Sequence, residues 1–459
     1  MLTGLPLTVQ QESALLLNTV AADGAAYNMA AGFIVCPSIS VEQLQRGIGT
    51  VLSRHDLLRS TFHADPAGAH RVISEDAAIE PELVDGTTLN TEQIYELAQK
   101  FVRRTFMLGQ QLPVRCLLVA RSAEEALLVL VVHHIAGDFL SFGVILEDLI
   151  TSAIRPDLEL PPVEHSFTDY VRSERQWLDC EEAASARKHW LSLLEDVNPV
   201  LDLPGDLPRP AGYRLVGDTV DFDLSHQLVA DLKAVCRECG VTPFTFLLTT
   251  LIVLLQRYSG QREFVLGSAF GTRGRRNAHV VGPFVNTMPI KAGPRANLTV
   301  AELSKSLAEQ IAISSEHARY PFSLLPGDLG VPRDLSRTPL VQVLMTMLAV
   351  GRDNEVIRAI AEGTGAYTVI EGHRLEALNL QQQEGQFDLG VEIYQTPQAV
   401  RGRLKFNDEI FTRVTAEQMV RHYTTLIKAA VNNPNELIDR LSMVDQAEKA
   451  RLLAFSSGV

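Results

Sequence analysis

Apolar positions along the first third of the chain change period twice, and each change marks an element. Val41, Leu44, Ile48, Val51 and Leu52 recur at helical spacing behind Ser40 and Gln43, a capping-box pair, so a helix is predicted to run up to the block RHDLLRSTF at 54–62. The period then collapses. VRCLLVA at 114–120 and ALLVLVV at 126–132 are unbroken apolar runs on either side of polar RSAEE, the signature of a hairpin between two central strands. Helical spacing returns over 139–150. Where strand gives way to helix, residues 133–138 read His-His-Ile-Ala-Gly-Asp.

Proline and glycine punctuate the middle of the chain. RPDLELPPVEH, between about 154 and 165, and LPGDLPRPAGY at 203–213 read as linkers, and the helix between them, carrying Trp177 and Trp190, is expected to cross from one lobe to another. Beyond them a buried helix starts at Phe244, with Thr242 as its cap, Pro243 in its first turn and Gly260 just past its end. Strands are predicted at FVLGSAF, FVNTMPI, FDLGVEIY and VRGRLKF, and helices near 300–318 and 415–431. Helix and strand content thus appears twice, without a repeat in the letters and without the strict rhythm of a doubly wound sheet. The expected fold class is α/β of the α+β kind. Two lobes, 1–165 and 166–445 with the crossover helix in the second, enclose a cleft, and 446–459 trails behind.

Composition narrows the partners. In 459 residues, 41 basic against 55 acidic side chains give a net charge of -14, which offers no general attraction to nucleic acid or anionic lipid; GTRGRRNAH at 271–279 is a local exception. Five scattered cysteines complete no zinc cluster and suit a reduced cytoplasmic setting. The start lacks the pattern of a signal peptide, and the longest apolar segment, FTFLLTTLIVLLQRYSG, is too short for a membrane span of roughly 20 residues.

The histidine pair admits several readings. Neighbouring strand residues point to opposite faces, so His133 and His134 cannot share one site unless the strand has ended, and one of them is expected to be structural. Asp138 could simply cap the following helix. A metal site would need further ligands, and the other ten histidines are dispersed. No phosphate-cradling loop follows a strand. Cys116, on the neighbouring strand, reads as core and not as a nucleophile. Acyl transfer by direct attack remains, with a histidine near neutrality handling the proton.

The spacing His-His-x-x-x-Asp resembles the signature of condensation domains of nonribosomal peptide synthetases. The resemblance extends along nearly the whole chain: RHDLLRSTF at 54–62, FTDYVRSERQW at 167–177, VGPFVNTMPIK at 281–291, ARYPFSLL at 318–325 and RDLSRTPLVQVLM at 333–345 are similar to five further family blocks, in order. It implies two chloramphenicol-acetyltransferase-like lobes in a V, with a central tunnel entered from two faces by phosphopantetheine arms. One arm brings an acyl or peptidyl thioester and the other an aminoacyl thioester, and an amide forms between them. The resemblance makes His134 the active-site histidine, His133 structural, and Asp138 the partner of an arginine from the second lobe. Arg273, nine residues before Gly282, is the best match, ahead of Arg59 and Arg275. Gly137, Phe139, Asn286 and Ser336 would line the tunnel. No metal and no cofactor of the domain's own are implied. The partners are an upstream donor carrier protein, and a downstream acceptor carrier protein and adenylation domain toward which 446–459 leads; neither nucleic acid nor membrane is expected, and the excised piece would be monomeric.

Two departures stand out. Phe139 occupies the position where the family has glycine, which is similar to condensation domains of mixed polyketide and peptide lines and points to an unusual donor. The block LPLTVQQESALLL keeps Gln11 but lacks the family's arginine and tryptophan. The rival readings are a coenzyme-A- or carrier-dependent acyltransferase making an ester or amide, whose plant-type Asp-Phe-Gly-Trp-Gly block is absent, an epimerisation or heterocyclisation relative, and an inactive carrier-docking domain.

Overall fold

The strand Ala126–His133 is buried at every residue. It lies inside a six-stranded mixed sheet whose order is Tyr367–Ile370, His373–Leu378, Asn28–Cys36, Ala126–His133, Val114–Ala120 and Glu82–Asp85. Helices Val41–Arg54, Thr91–Val102 and Phe139–Ile154 share its core, which is why this strand reads as a continuous apolar run and not as an alternation. The capping box ahead of the first of these helices forms as expected, with Gln43 N–H donating to Ser40 Oγ at 3.2 Å and Ser40 N–H to Gln43 Oε1 at 2.8 Å. The computed structural model describes residues 4–456 apart from 21–23, 67, 213, 294–296, 352–354, 382–384 and 397–398.

A second mixed six-stranded sheet runs in the order Val285–Ala292, Phe264–Gly271, Val343–Ala349, Leu389–Gln395, Val400–Phe406, Asp218–Leu224. Its own core draws on helices His226–Cys239, Pro243–Ser259, Val300–His317 and Arg413–Asn432. The helix from Pro243 has the expected ends: Thr242 Oγ1 accepts from Thr245 N–H at 3.1 Å, and Gly260 takes a left-handed φ of 69° that a side chain would disfavour. No single helix among the described residues is long and apolar enough to cross a membrane.

Two features depart from the sequence reading. The crossover is two helices, Phe167–Leu178 and Glu181–Leu194, broken at Asp179 and Cys180. Phe167 and Val171 pack in the first core and Trp190 and Leu194 in the second, so the change of direction lets one segment serve both lobes. The other departure is an exchange. Residues 355–378 lie within the span assigned to the second lobe, yet strand His373–Leu378 pairs with Asn28–Cys36, and helix Glu355–Glu362 buries Val356 and Ile357 in the first core. These strands are short and half polar, and their pairing spans more than 300 residues, so no local pattern announces it.

Candidate active site

Backbone pairing carries the strand as far as His133, whose N–H donates to Pro113 O at 2.8 Å. The chain then leaves the sheet: His134 N–H donates to Tyr27 O at 2.8 Å and Ala136 N–H to His133 O at 2.9 Å, closing a tight turn. His133 is fully buried against the rings of Tyr27 and Phe106. Its Nδ1 accepts from Ile135 N–H at 3.1 Å, so the ring is neutral with its proton on Nε2. Burial, with His134 and Arg115 nearby, pushes its pKa down to about 3. His134 is half-buried, and no side chain among the described residues hydrogen-bonds its imidazole. The two neighbours therefore have different environments, one committed to holding the loop and the other open to a ligand.

Asp138 does two jobs at once. As the cap of helix Phe139–Ile154, its Oδ1 accepts from Ser141 N–H at 2.9 Å. The same oxygen accepts from Arg273 Nη2 at 2.8 Å, and Oδ2 accepts from Phe284 N–H at 3.1 Å. Arg273 also donates to Asn277 O at 2.9 Å, Ser141 Oγ at 2.9 Å and Gly282 O at 3.2 Å, and stacks over Phe284 with its guanidinium carbon 4.3 Å from the ring centroid. Side-chain exposure of 9% for Arg273 and 3% for Asp138 makes this a buried pair. Ser141 completes it by bonding Gly282 on both backbone atoms. A Cβ at Gly282 would fall 2.2 Å from Phe167 Cδ2, so only glycine allows this close crossing. Ser141 and Gly282 thus belong to the assembly, although the sequence reading gave neither a role in it.

The remaining candidates scatter. Arg59 Nη1 donates to Ser74 O at 3.2 Å and Arg275 is exposed, so neither pairs with Asp138. Gly137 packs beside Ser141 and Met29. Cys116 is buried, and its thiol is pushed up to about 12, far from a nucleophile. Asn286 does not offer its amide to a cleft: Nδ2 donates to Ala318 O at 2.8 Å and Tyr320 O at 2.7 Å, while Oδ1 accepts from Phe322 N–H at 3.0 Å. Ser336 is folded into a local turn, its hydroxyl donating to Asp334 Oδ1 at 2.6 Å. Among the described residues, no three His, Cys, Asp or Glu side chains gather as a metal site.

Phe139 reaches the other lobe. Alternation along Leu389–Gln395 sends Leu389, Val391 and Ile393 into the second core and leaves Glu392 and Tyr394 on the opposite face. Tyr394 packs there against the first core, its ring centroid 5.9 Å from that of Phe139. Its hydroxyl donates to Glu392 Oε2 at 2.9 Å, and Lys405 Nζ lies 2.7 Å from Glu392 Oε1. Burial opposes ionisation of Glu392, but Lys405 and Arg403 outweigh it and hold the carboxyl below its ordinary range.

Comparison with known proteins follows the same outline. The condensation domain family model matches residues 1–453. Tyrocidine synthase 3 of Brevibacillus parabrevis is 26% identical over 456 residues, which are 99% of this chain and 7% of that protein. The chain spans less than a fifth of the length of these curated relatives, 7% of tyrocidine synthase 3 and 16% of bacitracin synthase 2 of Bacillus licheniformis. Among solved structures, a holo four-domain nonribosomal peptide synthetase, AB3403, bound to AMP and glycine, matches with a TM-score of 0.87 at 22% identity, over 98% of this chain and 34% of that one. The X-domain solved in complex with OxyB from teicoplanin biosynthesis matches with a TM-score of 0.86 at 23% identity, over 96% of both chains. At such identities the likeness shows the fold, two chloramphenicol-acetyltransferase-like lobes.

Proposed function

The chain belongs to the condensation-domain family, and from that premise we propose that it forms an amide between a donor acyl or peptidyl thioester and the amine of an acceptor aminoacyl thioester. Both substrates arrive on carrier-protein phosphopantetheine arms through a tunnel between the lobes. The observation that carries this reading is the contrast within the histidine pair: His134 keeps a half-buried imidazole with no hydrogen-bond partner among the described residues, on a loop fixed by buried His133 and by the Asp138–Arg273 pair.

In the reaction, the amine nitrogen attacks the thioester carbonyl, the C–S bond breaks, and the proton shed by nitrogen ends on the departing thiolate. An α-amine has a pKa near about 8, so a usable fraction is already deprotonated at neutral pH. His134 then orients the amine and takes its proton late, while tethering supplies effective concentration. Asp138 and Arg273 are positioning residues. Gly137 and Phe139 flank the site, with the Phe139 ring packed against Tyr394 where the family has glycine. The helix Gln446–Ser456, held by Glu448 against His422 Nε2 at 3.0 Å, starts the path toward an adenylation domain. The whole acts in the cytoplasm between an upstream and a downstream carrier.

The test is mass spectrometry of carrier-bound products after mixing the chain with donor- and acceptor-loaded carriers. Condensed product on the acceptor carrier, lost in His134→Ala protein of unchanged melting temperature, supports the reading. Full activity of that variant contradicts it. Binding of a carrier without product would instead favour a recruiting role, a reading the likeness to the OxyB-bound X-domain supports.

A further inference from the structure

The turn that carries His134 is held by three backbone donors: His134 N–H to Tyr27 O, Ile135 N–H to His133 Nδ1, and Ala136 N–H to His133 O. One anchor comes from elsewhere. Gln11, in the first turn of helix Val9–Val20, donates from Nε2 to Ile135 O at 2.8 Å across 124 residues of sequence. Gln11 is 1% exposed, and its other valence is used: Oε1 accepts from Thr8 N–H at 3.1 Å, while Thr8 Oγ1 accepts from Gln11 N–H at 3.1 Å. The side chain cannot swing away without stranding a buried carbonyl and an amide hydrogen together.

The segment that carries Gln11 is itself clamped by the crossover helix Phe167–Leu178. Glu174 Oε2 accepts from Val9 N–H at 3.3 Å, and Arg175 donates to Leu7 O through Nε at 3.0 Å and Nη2 at 2.6 Å, also pairing with Glu12. A chain of contacts therefore runs from the crossover helix through residues 7–12 to Ile135, the residue that follows His134.

We propose that Gln11 is a positioning residue for His134, setting the orientation of the imidazole through the Ile135 carbonyl. The proposal rests on the reading of His134 as the group that meets the amine. A displacement of about 1 Å at such a group costs up to roughly 100-fold in rate, so the loss of one hydrogen bond one residue away is enough to register in turnover.

Gln11→Glu isolates the effect. It keeps size and the acceptor toward Thr8 but replaces the donor toward Ile135 with an anionic oxygen. Gln11→Met, of similar volume and without a donor, serves where the charge prevents folding. The expected result, measured with loaded carriers, is a fall in kcat of about 10- to 100-fold, with KM for both carriers unchanged, and with the His134 ring resonances shifted while those of His422 stay in place. In the His134→Ala background the same substitution should have no further effect, since a residue acting through His134 has nothing left to position. A Gln11 variant that turns over like the parent, or one whose loss appears wholly in KM or persists in full on top of His134→Ala, overturns the proposal. Full activity of His134→Ala alone would instead overturn the functional reading on which it rests.

Discussion

His133 and Glu174 are buried ionisable side chains whose titrations act on stability in opposite directions. His133 stays neutral in the fold down to about 3, whereas in the unfolded chain it takes a proton near about 6.5. Its contribution is complete above that higher value and is lost as the pH falls toward 3. Asparagine can accept the Ile135 N–H without titrating, so His133→Asn should flatten the acid limb of the stability curve; parallel limbs in wild type and variant would contradict this. Alanine leaves a cavity and a stranded N–H as well, a loss of about 2 to 4 kcal/mol in chemical denaturation. Glu174 is 8% exposed and pushed up to about 7 by burial. The folded state binds its proton more tightly than the unfolded one, so stability is lost as the pH climbs from the ordinary glutamate value through 7. Glu174→Gln should melt higher than wild type at pH 8 and no higher at pH 4; an equal shift at both would remove titration as the cause. Strand alternation implied only that one of the two histidines is structural; the assignment of that role to His133 came from the family resemblance. The roles of Asn286 and Ser336 were not legible, because each side chain is consumed by backbone or side-chain partners that the block around it does not reveal.

At the scale of elements, the N-terminus of helix Phe139–Ile154 is the point where both lobes meet. Sequence left Asp138 between cap and ion pair, and the fold shows both, through one oxygen. Asp138→Asn keeps the cap and removes the charge, leaving Arg273 buried among carbonyls. A buried pair broken on one side costs about 3 to 5 kcal/mol, so the variant should melt well below wild type, and near-normal melting would mean that capping is all Asp138 does. Gly282→Ala is the companion case: with Phe167 Cδ2 2.2 Å from the new Cβ, the segment must move off the crossover helix, and both melting and turnover should fall. Helix ends were readable where caps are local, as at Ser40 and Thr242. The break at Asp179 and Cys180 was missed because polar residues also occur within continuous helices; its cause is the need to reach two cores.

Across the whole molecule, segments are exchanged between lobes. Residues 355–378 return to the first sheet, and the loop after strand Phe264–Gly271 sends Arg273 to Asp138 and places Val281 and Phe284 in the first core. Composition and periodicity revealed two cores but not these returns, since strand pairing across hundreds of residues leaves no local trace. Such an interlocked pair of lobes suits a reaction in which both substrates are brought in and the protein contributes position more than covalent chemistry. Free amino acid should accordingly be a far poorer acceptor than the same residue on a carrier, and equal rates would argue against positioning. The central claim, direct transfer beside His134, is tested by intact-mass measurement of the domain and both carriers, first with loaded donor alone and then after the loaded acceptor is added. Direct transfer leaves the domain unmodified throughout, with the acyl mass moving from donor to acceptor carrier only in the second step. An acyl adduct on the domain in the first step, at His134 or at Cys116, would contradict it.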